Sequence, residues 1–264
     1  MSIAEPAHAP LEGQRILITR PEGQAAQTQQ AIRELGGTPL LLPMIRITIA
    51  TLSTDKSKQY EPLSHFQWIV FTSANAVAGF LKNLKASLFS LPSEERPLIA
   101  AVGKQTAKTL HDRGLKIDFQ PDKATGQALG LQLPLQNRQP VLFPCGDQAR
   151  QTLPNTLRER GIPVEPVMVY HNTALAYSRK AFNETLAQKP HAIVFTSPST
   201  VNAFFQHCQQ YELWPEHSVI IACIGATTGE AVKQWGLDPH LIPAKPGTEA
   251  LLQALSERLS SLRA

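Results

Sequence analysis

Residues Ile69–Val77 read IVFTSANAV, and residues Ile193–Val201 read IVFTSPSTV. Six of the nine positions are identical, and the copies start 193 − 69 = 124 residues apart. Each is an apolar run that stops at Thr-Ser. A short continuous apolar run predicts a strand buried on both faces. A serine directly after it predicts a helix start, because a serine hydroxyl satisfies a backbone N–H of the first turn. Each phrase therefore marks a strand that ends at a helix N-terminus.

The repeat extends in both directions. LIAAVGKQTAKTLHDRGLKIDFQP starts at Leu98 and IIACIGATTGEAVKQWGLDPHLIP at Ile220. RILITRPEGQAAQTQQAIRELGGTPLLLPMI starts at Arg15, and PVLFPCGDQARQTLPNTLRERGIPVEPVMV starts at Pro140 with the same pattern. Two related halves of this size predict two lobes rather than a solenoid of short repeats. Strands are expected at Ile16–Thr19, Leu40–Leu42, Trp68–Phe71, Ile99–Val102, Val141–Phe143, Val164–Val169, Ile193–Phe195 and Ile221–Ile224. Helices are expected over about 22–35, stopped by Gly36-Gly37, about 74–84, and about 105–113, stopped by Gly114. Apolar strands separated by helices point to α/β architecture with parallel sheets covered on both faces, here two doubly wound lobes.

Composition narrows the function classes. The chain has 264 residues, 42% hydrophobic and 17% charged, with a net charge of +4. The mild basic excess suits an anionic small molecule, and no Lys/Arg run is long enough to favour nucleic acid. Three cysteines without a CxxC pair argue against a disulfide framework and for a reducing compartment. The histidines show no HExxH or zinc-type spacing, so no metal is expected. The first residues do not read as a secretory signal, and no apolar run approaches the ~20 residues of a membrane span. A cytoplasmic monomer with a frayed tail before about Gly13 and no membrane contact is expected.

In parallel α/β sheets, ligands bind beyond the carboxyl ends of the strands, where helix N-termini attract anions. Ser73, Ala74 and Asn75 lie there, as do Gly103, Lys104 and Thr106, then Ser197, Pro198 and Ser199, then Thr227 and Thr228. Helix capping alone would also place serine and threonine at these positions. Pro198 brings no N–H, so its loop has one donor fewer than its counterpart. Arg20, at the first strand's end, could clamp a carboxylate through both nitrogens or form a surface ion pair.

Taken in order, ILITRPEGQ, IVFTSANAV, VGKQTAKTL, GIPVEPVMVYHNT, VFTSPSTV and IGATTGEAVKQWGL resemble the uroporphyrinogen-III synthase family, from about Arg15 to Leu259. The resemblance implies two flavodoxin-like lobes joined by a two-stranded linker, with the active site between them. Residues 1–42 with 174–264 would form one lobe and 48–166 the other, linked by 43–47 and 167–173. Pro43 and Pro166 fit such linkers as interruptions of secondary structure. The implied substrate is hydroxymethylbilane, a linear tetrapyrrole polycarboxylate. It is dehydrated and cyclised with inversion of its last ring, without cofactor or metal, in tetrapyrrole biosynthesis.

Tyr170 occupies the family's tyrosine position and would donate to or orient the departing hydroxyl; packing at a lobe junction is its structural alternative. The substrate-binding residues implied are Arg20, Ser73, Ala74, Asn75, Gly103, Lys104, Thr106, Ser197, Pro198, Ser199, Thr227 and Thr228. One departure stands out: Cys145 precedes Gly146 where relatives commonly carry arginine. A thiol cannot clamp a carboxylate, so Cys145 reads as structural, and either Arg150 substitutes from a helix or the contact is absent. His171 reads as a solvated linker histidine, and Arg46 as a weaker substrate contact. The competing readings are a nucleotide-dependent α/β transferase, for which GxGxxG and GxxxxGK[ST] are missing, and a non-catalytic two-lobed binding or regulatory protein. Transient contact with neighbouring pathway enzymes is left open.

Overall fold

The structure, a computed structural model, describes residues 9–135 and 138–262. In chain order it forms β1 (Arg15–Ile18), α1 (Ala26–Glu34), β2 (Thr38–Leu41), β3 (Ile45–Ile49), α2 (Thr54–Lys58), β4 (Trp68–Phe71), α3 (Ala74–Phe89), β5 (Leu98–Ala101) and α4 (Lys104–His111). There follow α5 (Gly126–Gln132), β6 (Val141–Gly146), α6 (Thr152–Glu159), β7 (Val164–Ala174), α7 (Arg179–Leu186), β8 (Ala192–Phe195), α8 (Pro198–Tyr211), β9 (Ile220–Cys223), α9 (Ala226–Lys233) and α10 (Thr248–Ser261). The fold is α/β with parallel sheets. The chain divides into two compact units: unit 1 takes the residues up to Arg46 and from Thr173 on, and unit 2 takes Ile47–Asn172.

Unit 1 carries a sheet of order β2-β1-β8-β9. Its pairs β1·β2, β1·β8 and β8·β9 are all parallel. Ile16, Ile18, Ala192, Val194, Ile220 and Ala222 pack on one side with Ile32 of α1 and Leu251 and Leu255 of α10. On the other side Phe195 meets Phe204 and Phe205 of α8, ring centroids 5.5 and 5.7 Å apart. Burying each such ring contributes about 1.5–3 kcal/mol. Helix α1 stops where Gly36 turns to φ 85° and the Gly37 N–H donates to the Ile32 carbonyl, a Schellman closure that L side chains resist.

In unit 2 the order is β3-β7-β6-β4-β5. The pairs β4·β5, β4·β6 and β6·β7 are parallel. Alternation splits the apolar run of β4 between two cores. Ile69 and Phe71 pack with Val77, Phe80 and Leu84 of α3 and Leu110 of α4. Trp68 and Val70 pack with Leu129 of α5 and Leu153 and Leu157 of α6. In each unit a further residue adds an isolated parallel bridge beyond the last strand, Ala222 to Leu241 and Ala100 to Phe119.

Several local expectations need correction. Pro166 lies inside β7, level with Phe143 of β6, and does not interrupt the strand. Its carbonyl accepts from Tyr60 Oη at 3.4 Å, on the side of the strand away from β6. N and C=O of one strand residue point the same way, so the missing N–H falls outside the β6 ladder. Helix α3 continues to Phe89, five residues past the expected end, because no glycine or proline stops it. The stretch from Glu22 opens as a 3-10 turn before α1 begins at Ala26. Most of the expected frayed tail falls on residues 1–8, outside the described residues, and Leu11 is fully buried in the unit 1 core.

Candidate active site

A switch point is the place in a parallel sheet where chain connections run off in opposite directions, and ligands bind beyond it. In unit 1 it lies between β1 and β8; in unit 2 it lies between β6 and β4. The residues just after these strands form one rim in each unit.

The unit 1 rim begins with Thr19, buried, whose hydroxyl donates to the Val194 carbonyl at 2.8 Å and ties β1 to β8. Arg20 follows and is half-buried. Its Nη1 donates to Thr28 Oγ1 at 2.8 Å and reaches Thr248 Oγ1 at 3.5 Å. Its Nε is buried without a hydrogen-bond partner. Among the described residues no carboxylate pairs with it, which corrects the ion-pair reading. Burial lowers its pKa, yet guanidinium remains charged in proteins. Across the switch point Ser197 caps α8, accepting from the Thr200 N–H at 3.3 Å, with Ser199 Oγ at 3.0 Å. Pro198 occupies the first turn, where its missing N–H costs nothing within the helix.

The unit 2 rim carries different groups. Ser73 caps α3, accepting from the Ala76 N–H at 3.1 Å. The Ser73 hydroxyl also points at the Tyr170 phenol oxygen, 3.4 Å away. Tyr170 comes from β7, and its ring lies on Gly146 at the end of β6. A Cβ at position 146 would sit 2.5 Å from the ring carbons Cε2 and Cζ. The register of β6 and β7 shifts here: Cys145 faces Met168, but Gly146 faces Tyr170. Such a bulge re-aims the side chains beyond it. Burial raises the Tyr170 pKa; the Ser73 hydrogen bond opposes this, while Cys145 and Asp147 add to it. The phenol therefore stays protonated at neutral pH.

The neighbouring helix starts are open. Gly103 and Gly225 precede α4 and α9 in extended backbone, and neither helix has a side-chain cap. A Cβ at Gly103 would lie 2.9 Å from the Ala124 Cβ. Lys104 and Thr227 are exposed, and Ala74 and Asn75 are partly exposed. Thr106 and Thr228 are buried, 5% and 3% exposed, so their hydroxyls turn into the fold. Among the described residues no group of three or more His, Cys, Asp or Glu side chains could hold a metal ion. No described helix is long and apolar enough to cross a membrane.

The model of the family described as uroporphyrinogen-III synthase HemD matches residues 26–253. The chain belongs to the uroporphyrinogen-III synthase family. A uroporphyrinogen-III synthase from Chlorobaculum parvum is 31% identical over 252 residues, 92% of this chain and 98% of the relative. A chloroplastic uroporphyrinogen-III synthase from Oryza sativa is 28% identical over 92% of this chain and 80% of its own length. The match to a porphyrin biosynthesis protein HemD from Ruminiclostridium josui covers 94% of this chain, which spans 49% of that relative. Among solved structures, the uroporphyrinogen-III synthetase of Helicobacter pylori superposes with TM-score 0.63 at 25% identity over 93% of this chain and 99% of that one. A mutant uroporphyrinogen III synthase of Thermus thermophilus gives TM-score 0.68 at 21% identity, over 94% of this chain and 100% of that one.

Three further residues shape the rims of this synthase-family fold without a sequence motif to mark them. Gly146 carries the Tyr170 ring. Asp147 holds the Asn172 N–H, and Thr19 ties β1 to β8. His171 is not a solvated lone histidine: its Nδ1 lies 3.1 Å from Asp147 Oδ2. Nothing in the local sequence announces that pair, because the two residues are 24 positions apart, one just past β6 and the other in β7. Arg150 is exposed and precedes α6 rather than riding on it. Cys145 is buried, and burial pushes its thiol up to about 11.

Proposed function

We propose that this chain is a uroporphyrinogen-III synthase, a cyclising lyase that dehydrates hydroxymethylbilane and closes the ring with inversion of its terminal pyrrole. The observation that carries the reading is the Tyr170 phenol, protonated and held over Gly146 beside Ser73 at the unit 2 switch point. Family membership supports it and disfavours a purely regulatory binding protein.

Chemistry follows from the substrate's own reactivity. An electron-rich pyrrole expels the hydroxyl and leaves an azafulvene cation. Attack by the substituted carbon of the terminal ring gives a spiro intermediate, which rearranges and loses a proton; one water leaves per ring closed. Ser73 donates to the phenol oxygen, so the phenol hydrogen is directed elsewhere, toward the leaving hydroxyl. A phenol with a raised pKa is a weak acid, so Tyr170 acts mainly as a hydrogen-bond donor that orients and stabilises the leaving group. Holding a flexible tetrapyrrole in the reactive geometry supplies most of the rate, on the order of several kcal/mol.

The carboxylates are assigned to Arg20 and the first turns of α3, α4, α8 and α9. The groups involved are Ser73, Ala74, Asn75, Gly103, Lys104, Ser197, Pro198, Ser199 and Thr227. Thr106 and Thr228 belong to the same proposed set, with their side chains buried. The buried, unpartnered Arg20 Nε favours an incoming anion there. The finer architecture belongs to the same proposal: two flavodoxin-like lobes, 1–42 with 174–264 and 48–166, with 43–47 and 167–173 as linkers. So do a cytoplasmic monomer and turnover without a cofactor. The test is turnover of hydroxymethylbilane generated in situ, with the product oxidised and its isomers resolved. The type III isomer is expected; only the type I isomer of spontaneous closure would remove the reading.

A further inference from the structure

We propose that Asp147, with Gly146 beneath the ring, is a positioning residue that sets the Tyr170 phenol. This deepens the proposed function and rests on it for its kinetic part. The loop after β6 grips the segment that carries the phenol at several points. The Asp147 N–H donates to the Tyr170 carbonyl at 3.2 Å. Asp147 Oδ1 accepts from the Asn172 N–H at 3.0 Å, and Oδ2 faces His171 Nδ1 at 3.1 Å. Gln148 Nε2 donates to the Asn172 carbonyl at 2.9 Å. Three consecutive residues, 170 to 172, are thus tied to one two-residue loop, and the tie sits on the bulge that turns Tyr170 over Gly146.

This arrangement has a job that a mere strand edge would not need. The register shifts between Cys145 and Gly146, so Tyr170 rather than Val169 stands opposite Gly146 at the last pair of the ladder. Past that last pair the Asp147 carboxylate holds the next two residues, His171 and Asn172, by side-chain contacts. Gly146 leaves no Cβ to lift the ring off the loop. Asp147 does not reach the substrate in this scheme; it acts through Tyr170. Its side chain is one-third exposed and that of His171 is 44% exposed, so the pair is not a core ion pair retained for packing.

The experiment is a double-mutant cycle of Asp147→Ala and Tyr170→Phe on the full chain, with Asp147→Asn as the conservative variant. Misplacing a catalytic group by about an ångström can cost up to ~100-fold. Asp147→Ala should lower kcat about 10-fold while KM changes less than about 2-fold. Asp147→Asn, which keeps an acceptor for the Asn172 N–H, should recover most of that loss. In the Tyr170→Phe background Asp147→Ala should cost almost nothing further. An equal loss in both backgrounds, or a loss confined to KM, overturns the proposal. A second readout needs no turnover: with 13Cζ-labelled tyrosine, the Tyr170 signal should move in Asp147→Ala and Gly146→Ala and titrate at lower pH in Asp147→Asn. An unmoved signal overturns the positioning role even if wild-type turnover gives the type III isomer. A wild type that is inactive while the signal moves overturns the kinetic assignment alone.

Discussion

The two sheets follow one plan, β2-β1-β8-β9 in unit 1 and β7-β6-β4-β5 in unit 2, yet equivalent positions carry different chemistry. Ile16 pairs with Ala192, and Val141 pairs with Trp68. Arg20 and Cys145 are therefore matching positions, each four residues on. One rim has a half-buried cation; the other has a buried thiol, a phenol and an Asp-His pair. The same divergence recurs at the opposite end of the sheets. The Ile99 N–H donates to Asp118 Oδ2 and the Ile221 N–H to His240 Nδ1, both at 2.9 Å. Backbone geometry has been kept where a donor must be satisfied, while the acceptor changed from carboxylate to imidazole. The lesson is that duplication repeats the scaffold's hydrogen-bond slots, and function resides in what fills them.

The largest effect is expected where the copies differ in packing. Gly79 in α3 corresponds to Ala203 in α8 by the 124-residue offset. A Cβ at 79 would collide with the Val169 carbonyl of β7. Gly79→Ala should cost up to about 3 kcal/mol, whereas Ala203→Gly should cost about 1 kcal/mol. Urea unfolding reads both, and equal costs would break the contrast. Next, Arg20→Ala should raise KM roughly 10- to 100-fold through loss of charged hydrogen bonds, while Cys145→Ala leaves KM near wild type. Tyr170→Phe should lower kcat about 10-fold, the scale of one lost hydrogen bond.

A pH series sharpens the same comparison. Burial raises the folded Tyr170 pKa above its ordinary 10.0. The phenol's stabilising contribution is fully present below 10.0 and is lost as pH rises from there through the raised folded pKa, and kcat should fall as pH rises through that folded pKa. Tyr170→Phe should flatten this alkaline decline. Smallest of all is the thiol effect. Burial pushes Cys145 up to about 11 and Cys208 and Cys223 up to about 12. Iodoacetamide at pH 8 should leave native protein unmodified and fully active, and label all three cysteines in urea.

Parallel α/β architecture was legible because buried strands such as Trp68–Phe71 and Ala192–Phe195 read as unbroken apolar runs next to serine caps. Ser73 and Ser197 stood out for that reason, since capping is local and leaves a local signature. The bulge after Cys145 did not, because register depends on two strands at once. The Asp147–His171 pair was hidden likewise, and Pro166 misled because only the sheet shows which edge its missing N–H faces. Burial of Thr106 and Thr228 follows from helix phase, which a cap motif alone does not reveal.

Arg20 as a carboxylate contact and Tyr170 as the donor to the leaving hydroxyl are the two assignments on which the proposed function turns. The direct measurement is the type III to type I product ratio, with KM and kcat, for Arg20→Ala in unit 1 and Tyr170→Phe in unit 2. Both variants should slow ring closure and raise the type I share. A variant from either unit that matches wild type in rate, KM and isomer ratio would contradict it.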